Sequence, residues 1–296
     1  MAGQIVMALD LHDKLFDAHV HVWTDDTDAY PLAPGFDKSD LWRPRFTPDD
    51  HAQYSSHYGK VRLNLVQMTW YGLEHQYILD LTASDPARFT GTGIVSAWSD
   101  VSLPSPDRAM VALARRGIRA FRVRGGGGRA GWLDHNGYEK MFVAGAEHNL
   151  ALSFLMGLSD LPDLDRMCAR HPDTPVILDH LCGVGRNEVV EEAEFDALCR
   201  MARHPRVLVK FGPFQGMGRR QRPYRDLLAI LRRVVDAFGP QRCMWESDSG
   251  GPIWMPEPAK DFPAAVTLIA EHADFLSDSD REWLLYKSAE GGGFDF

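Results

Sequence analysis

Hydrophobic and polar positions along this chain follow two alternating patterns. Short runs rich in Val, Ile, Leu and Phe are separated by longer stretches in which apolar residues recur every three or four positions. The first pattern predicts buried strands and the second predicts amphipathic helices, and their alternation is typical of a parallel sheet covered by crossover helices. The predicted strands are residues 15–20, 63–68, 91–95, 120–123, 151–155, 176–179, 207–211 and 243–246.

The helical pattern is clearest in five segments between these strands. Strands and helices in this order predict an α/β fold, a (β/α)8 or TIM barrel, with residues 1–296 as a single domain. An open doubly wound sheet is the alternative, but no GxGxxG motif opens a helix after a strand, so the barrel is favoured. The predicted helices are residues 106–116, 138–148, 161–170, 191–203 and 224–238.

Composition narrows the possible partners. The formal net charge of -9 argues against general nucleic-acid binding, which needs clustered Lys and Arg. The chain lacks an apolar run long enough for a membrane span, and its N-terminus lacks the pattern of a signal peptide. The four cysteines form no CxxC pair, so reduced thiols are expected. We therefore expect a cytoplasmic protein with a small-molecule ligand, without nucleic-acid or membrane partners, and compatible with a homo-oligomer.

Two histidines separated by one residue end the first predicted strand. His19 and His21 lie in the sequence FDAHVHVW, and the two-residue period of a strand points both imidazoles the same way, into the barrel mouth. Isolated HxH pairs are more often partly buried loop residues. Here, however, two later strands also end in polar residues, VILDH in His180 and CMWESD in Asp248. Because the carboxyl ends of barrel strands share one face, these four side chains form one candidate site.

With these motifs the sequence resembles the amidohydrolase superfamily, specifically the amidohydrolase 2 group of TIM-barrel hydrolases. The resemblance extends over nearly the whole chain through FDAHVHVW, GIRAFRV, VILDHLCG, VLVKFG and WESDSGGP. Within that group the chain is most similar to the lactonase branch, which includes hydrolases of sugar lactones and of pyrone dicarboxylate. The resemblance implies catalytic roles for His19, His21 and His180, with Asp248 as the general base toward the attacking water.

The resemblance also bears on a cofactor. It implies one divalent metal ion, zinc or manganese, with His19, His21 and Asp248 as ligands. The chain departs from the family pattern at the end of strand five, where metal-holding relatives present another ligand and this sequence reads LALSFLMG. Metal-independent lactonases share that departure, so a metal-free site is the alternative. Glu246 is expected to pair with an arginine inside the barrel, with a second carboxylate near the site as the alternative.

Several residues near the strand ends are candidates for substrate binding. Arg122 and Arg124 share one face of strand four, and Lys210 ends strand seven, so their side chains could orient a substrate carboxylate. Each could equally form internal ion pairs. Gln67 and Trp23 follow strands two and one, where they could contact a ligand or simply pack a loop.

The predicted function is hydrolysis of a carboxylated lactone by water that Asp248 activates. Lactone opening requires a base for the water, stabilisation of the carbonyl oxygen and a proton for the departing oxygen. The alternative within the same group is a metal-dependent nonoxidative decarboxylase of a small aromatic or unsaturated acid. A barrel that binds a ligand without turning it over is a third alternative.

Overall fold

The fold was established from a computed structural model that describes residues 9–95, 105–186 and 190–294. Eight parallel strands follow one another in chain order around one sheet, each hydrogen-bonded to the next. This arrangement confirms the predicted (β/α)8 barrel. The strands, named β1 to β8 in chain order, are Phe16–His21, Arg62–Val66, Phe89–Gly93, Ile118–Arg124, Ala151–Leu155, Val176–Leu178, Val207–Phe211 and Cys243–Trp245.

Helices occupy the outer layer, and each of the five predicted helices has a counterpart. The segment predicted as 224–238 is α-helical only from Leu228, because Tyr224 adopts a φ of 62° and a 3-10 turn follows it. No helix in the described ranges is both long and apolar enough to span a membrane. The α-helices, named α1 to α9, are Pro48–Ser55, Gln76–Ser84, Pro106–Ala114, Asn136–His148, Leu161–Arg170, Glu192–Arg200, Leu228–Phe238, Pro258–Thr267 and Asp278–Glu282.

The seam between the last and first strands differs from the other strand contacts. Among the strands that the structure describes, β8 and β1 share no ladder, and a single parallel bridge joins Val20 to Ser249 beyond the end of β8. There the amide of His21 donates to the carbonyl of Ser249 at 2.8 Å. Lower in the seam, the amide of Ser247 donates to the side chain of Asp17 at 2.9 Å. A carboxylate therefore takes the place of a strand carbonyl beside the predicted site.

The C-terminal segment packs against the opposite end of the barrel. Phe294 is 1% exposed, and its ring lies 5.9 Å from that of Phe16, the first residue of β1. The ammonium of Lys210 lies 5.6 Å from the same ring. Phe294 therefore closes the end of the barrel away from the predicted site.

Candidate active site

The two histidines of β1 meet inside the barrel, as their spacing predicted. The Nε2 atoms of His19 and His21 are 3.3 Å apart. His21 Nδ1 donates to the carbonyl of Val66 at 3.0 Å, which leaves Nε2 as the lone-pair nitrogen of the neutral ring. Asp248 Oδ1 lies 3.5 Å from His21 Nε2 and 3.8 Å from His19 Nε2.

His180 and Asp248 both follow strand ends in the left-handed backbone region, each with a φ of 53°. Such conformations are costly outside glycine and occur where the surrounding structure enforces them. His180 Nδ1 lies 2.7 Å from Glu246 Oε1, and this carboxylate also accepts the His180 amide at 3.2 Å. The expectation that Glu246 pairs with an arginine is wrong: its hydrogen-bond partner is His180, and His19 Nδ1 lies 3.1 Å from Oε2 without a hydrogen bond in the described structure.

A buried ion-pair network lies beneath the histidines. Asp179 accepts from Ser153 Oγ at 2.8 Å and pairs with Lys210 at 3.0 Å and Arg122 at 3.2 Å. The same two cations flank His19, with Arg122 Nη2 at 2.9 Å from Nε2 and Lys210 Nζ at 3.2 Å from Nδ1. Because a neutral imidazole accepts at only one nitrogen, the shorter Arg122 contact makes Nε2 the acceptor.

The pKa shifts separate the roles of the buried groups. Burial raises the pKa of Asp248 to about 6, and Glu246 adds to this while His180 opposes it. Burial disfavours charge on His180, but the carboxylates of Glu246 and Asp248 outweigh that effect and raise its pKa. Burial, together with the charges of Lys210 and Arg122, holds the pKa of His19 well below its usual range. The site thus combines a carboxylate able to take a proton with an imidazole whose pKa is raised.

A cavity of about 670 Å³ opens above these groups and reaches His21, Arg122, His180 and Asp248. Arg124 lines it and is half-buried, and burial together with the charge of Arg122 lowers the pKa of this guanidinium to about 10. Arg124 also donates to Thr69 Oγ1 at 3.3 Å. Another part of the cavity lining is apolar, because Phe36, Trp42 and Trp70 form an aromatic wall there.

The remaining predicted site residues take different positions. Gln67 lines the cavity, but its side-chain amide donates to the carbonyls of Gly72 and Glu74 at 3.1 and 2.8 Å. Trp23 is fully buried behind the aromatic wall, edge-on to Trp70 at 5.0 Å. Lys210 is also fully buried and is not among the described side chains that line the cavity. Trp23 and Lys210 therefore support the site from behind rather than face its cavity.

Sequence reasoning missed Asp179 and Arg186 in this region and favoured the wrong partner for Glu246. Glu246 precedes Asp248 by two positions, and strand periodicity could have placed both carboxylates on one side. Asp179 directly precedes His180, yet its pairing with Lys210 depends on strands that are distant in sequence. Arg186 lines the cavity from the glycine-rich loop after β6, the kind of loop that carries ligand contacts in a barrel.

Three overlapping sets of donors could hold a metal ion, one of them His19, Asp179 and Glu246. His19, His180 and Asp248 have ligand atoms within 4.8 Å of one another. The predicted trio of His19, His21 and Asp248 is also close, with separations of 3.3, 3.5 and 3.8 Å between its ligand atoms. In the described part of the chain Asp248 Oδ1 has no hydrogen-bond donor, which leaves a buried oxygen available to a cation.

A barrel with paired histidines on its first strand and an aspartate after its last defines a class of hydrolase-type sites. The chain belongs to the amidohydrolase family, whose model matches residues 16–290. It is 28% identical over 240 residues to an L-fucono-1,5-lactonase of Burkholderia ambifaria, a match that covers 78% of this chain and 79% of that protein. This membership makes it an enzyme of a hydrolase family.

Solved structures share the fold at lower identity. An amidohydrolase of Burkholderia multivorans with bound zinc has a TM-score of 0.70 at 24% identity, covering 94% of this chain and 98% of that one. A proposed 2-pyrone-4,6-dicarboxylic acid hydrolase of Pseudomonas putida has a TM-score of 0.71 at 21% identity, covering 97% and 100%. Both likenesses confirm the barrel.

Proposed function

We propose that this enzyme opens a carboxylated lactone by hydrolysis, with Asp248 as the base that activates water. The observation that carries the proposal is the Asp248 carboxylate at the cavity floor. It is buried, one of its oxygens has no donor in the described structure, and it lies within 3.5 Å of His21 Nε2. The lactonase activity named for the Burkholderia ambifaria relative supports the same reaction class.

The residues present supply each step that lactone opening needs. Asp248 accepts a proton as the water oxygen bonds to the carbonyl carbon. His180, held by Glu246, and Arg122 donate hydrogen bonds to the carbonyl oxygen as it becomes negative. When the bond between that carbon and the ring oxygen breaks, Asp248 returns its proton to the departing oxygen. The product is an open-chain hydroxy acid.

The charge around the cavity favours an anionic substrate. Arg122, Arg124 and Arg186 all reach the cavity, and Arg124 bears a partly desolvated charge. A carboxylate can bind a guanidinium through two parallel hydrogen bonds, which would offset that desolvation. We therefore assign substrate-carboxylate binding to Arg124, with Arg186 beside it, while Arg122 faces the carbonyl oxygen. Gln67 contributes to the wall, and Trp23 and Lys210 act by holding their neighbours.

A divalent ion, zinc or manganese, is part of the proposal. His19, His21 and Asp248 would hold it, and the donor-free oxygen of Asp248 fits that role. Arg122 would have to release His19 Nε2, which it now contacts at 2.9 Å. When bound, such an ion supplies Lewis-acid polarisation and lowers the pKa of a bound water. The zinc in the Burkholderia multivorans structure supports the idea.

Decarboxylation has less support. The end of β5 presents Leu155, Met156 and Gly157 to the cavity. The resemblance to the amidohydrolase 2 group implies a further ligand there in metal-holding members, and the proposed decarboxylase depends on a metal. The site therefore favours water attack over protonation of a ring carbon.

Two substrates test the proposed activity and its charge preference together. Purified enzyme is assayed with 2-pyrone-4,6-dicarboxylate and with neutral L-fucono-1,5-lactone, following ring opening by proton release. We expect the anionic lactone to give a kcat/KM at least about tenfold higher, because one bidentate pair contributes about 1.5–3 kcal/mol. Hydrolysis of only the neutral lactone would contradict the assigned carboxylate site, and inactivity on lactones generally would contradict the reaction.

Elemental analysis of the purified enzyme tests the metal separately. We expect about one zinc or manganese per chain, lost in His19→Ala and retained in His204→Ala, a histidine that pairs with Asp165 far from the cavity. Metal-free protein with full activity after treatment with a chelator would contradict the metal assignment and leave the role of Asp248 intact.

A further inference from the structure

Asp17 and His51 form a buried pair behind the active site, and the proposed mechanism does not use either residue. Asp17 and His51 are both 0% exposed, and His51 Nε2 lies 3.3 Å from Asp17 Oδ2. His51 lies on α1, and Ser55 Oγ, one helical turn later, lies 3.0 Å from its Nδ1. His51 Nε2 donates to the aspartate, and Ser55 Oγ, which also lies 3.1 Å from the His51 carbonyl, holds the other ring nitrogen in place.

The carboxylate of Asp17 joins both halves of the active site. Its Oδ1 accepts the amide of His19 at 3.3 Å and the amide of Ser247 at 2.9 Å. Its Oδ2 accepts the hydroxyl of Ser247 as well as the His51 imidazole. These four donors fill the acceptor capacity of a carboxylate. Asp17 thereby links the first histidine of the site to the residue directly before Asp248.

The segment around Asp248 depends on such side-chain contacts. In the described barrel β8 and β1 form no ladder at this seam, so Ser247 has no strand carbonyl for its amide. Ser249 in turn donates its amide to Ser247 Oγ at 3.0 Å. Asp248, between the two serines, has a φ of 53°, which an L-residue keeps only when its neighbours are fixed.

We propose that Asp17 and His51 are positioning residues that hold Asp248 in its left-handed conformation, aimed at the cavity floor beside His21. The inference rests on the proposed function, because it assigns to Asp248 the role of base. His51 fixes the orientation of the Asp17 carboxylate from α1. Asp17 then fixes Ser247, and Ser247 fixes the backbone that carries Asp248. Partners that orient the groups around a reacting side chain typically change activity 10- to 100-fold when lost.

The test uses His51→Leu, His51→Gln and Asp17→Asn, with His204→Gln as the matched control. His204 is 8% exposed and also pairs with a carboxylate, but on the segment before β7, away from the cavity. We expect kcat to fall about 10- to 100-fold in Asp17→Asn and His51→Leu, with KM within about threefold. His51→Gln, which keeps a donor, recovers part of the loss, and His204→Gln stays within about twofold.

If these substitutions acted only by lowering stability, all the variants, including His204→Gln, would lose activity to a similar extent. Equal losses in His51→Leu and His204→Gln, or a KM that rises as much as kcat falls, would overturn the positioning role. If Asp17→Asn does not fold, Ser247→Ala decides, because it keeps the Ser247 amide contact and removes only the hydroxyl. We expect a smaller fall in kcat there, about three- to tenfold.

Hydrogen exchange provides a readout that needs no activity. In His51→Leu we expect faster amide exchange than in wild type over residues 246–250, and unchanged exchange there in His204→Gln. If the wild type fails to open lactones, the proposed function is contradicted. The exchange comparison still tests whether His51 and Asp17 hold the segment that carries Asp248. Unchanged exchange over residues 246–250 in His51→Leu would overturn the positioning role.

Discussion

At the scale of single residues, the site shows how two neighbouring carboxylates take different roles. Glu246 is tied to the ring and amide of His180. Asp248 keeps one oxygen without a donor in the described structure, and burial raises its pKa. Glu246 is therefore suited to keep His180 protonated, while Asp248 is suited to exchange a proton with water.

The raised pKa of Asp248 predicts the acid limb of the activity profile. Burial raises that pKa to about 6, so protonation below pH 6 removes the base and kcat/KM falls about tenfold per pH unit. The residual activity of chelator-treated, metal-free enzyme, measured from pH 4.5 to 8, checks this. Reloading with zinc should move the limb to lower pH, because a cation stabilises the carboxylate. A flat metal-free profile across this range would contradict Asp248 as the titrating base.

Arg124 offers a second prediction at the residue scale. Arg124→Met keeps most of the side-chain length and removes the guanidinium, so KM for a carboxylated lactone should rise about tenfold or more. KM for a neutral lactone should stay within about twofold, which makes the neutral substrate the internal control. Equal changes for both substrates would mean that Arg124 shapes the cavity without binding the anion.

At the scale of elements, the turn after β6 carries strain. His180, Leu181 and Cys182 are consecutive and have φ values of 53°, 51° and 53°. Left-handed backbone costs roughly 1–2 kcal/mol per L-residue, so this turn is held by its surroundings. It places His180 against Glu246, with the His180 ring 4.7 Å from that of His19 on β1. His180, predicted at a strand end, thus lies in the turn after β6 and still reaches the site.

This strain predicts unequal effects of two matched substitutions. Cys182 and Cys243 are both buried, but Cys243 has an extended φ of -114°. Changing either to Gly removes the same side chain, and only Cys182→Gly also relieves the left-handed backbone. Cys182→Gly should therefore lower the free energy of unfolding by about 1 kcal/mol less than Cys243→Gly in urea titrations. Equal losses would argue against strain in this turn.

The elements that were predicted best are those with the simplest patterns. The predicted strands 151–155 and 207–211 coincide with β5 and β7, because both are short apolar runs buried on two faces. Helix α8 escaped prediction, because Pro263 lies inside it and proline normally ends a helix. Helix α1 is short and its sequence PDDHAQYS is mostly polar, so its start depends on the Thr47 capping box and not on periodicity.

At the scale of the whole molecule, barrel topology turns local motifs into a site. His19, His180 and Asp248 are far apart in sequence, and parallel strand order brings their ligand atoms within 4.8 Å of one another. The positions of these residues at strand ends were sufficient to predict that their side chains lie close together. The ion pair between Lys210 and Asp179 was not predictable, because a polar side chain at a strand end can face a ligand or another strand equally well.

The closed end of the barrel predicts the effect of losing Phe294. This ring packs on Phe16 and is almost completely buried, so Phe294→Ala should lower the free energy of unfolding by about 3 kcal/mol. Urea unfolding measures the change, with Val143→Ala at an exposed helix position as the control, expected within about 0.5 kcal/mol of wild type. A Phe294 variant as stable as the control would show that the tail does not contribute to the barrel.

The central claim is that Asp248 is the base of a lactone-opening enzyme, and one comparison tests it most directly. Wild type and Asp248→Asn are assayed for hydrolysis of 2-pyrone-4,6-dicarboxylate under identical conditions, after circular dichroism has shown that both are folded. We expect turnover by the wild type and a kcat at least about 100-fold lower in the variant, because Asn keeps the size and removes the proton acceptor. A folded Asp248→Asn enzyme with near wild-type kcat would contradict it.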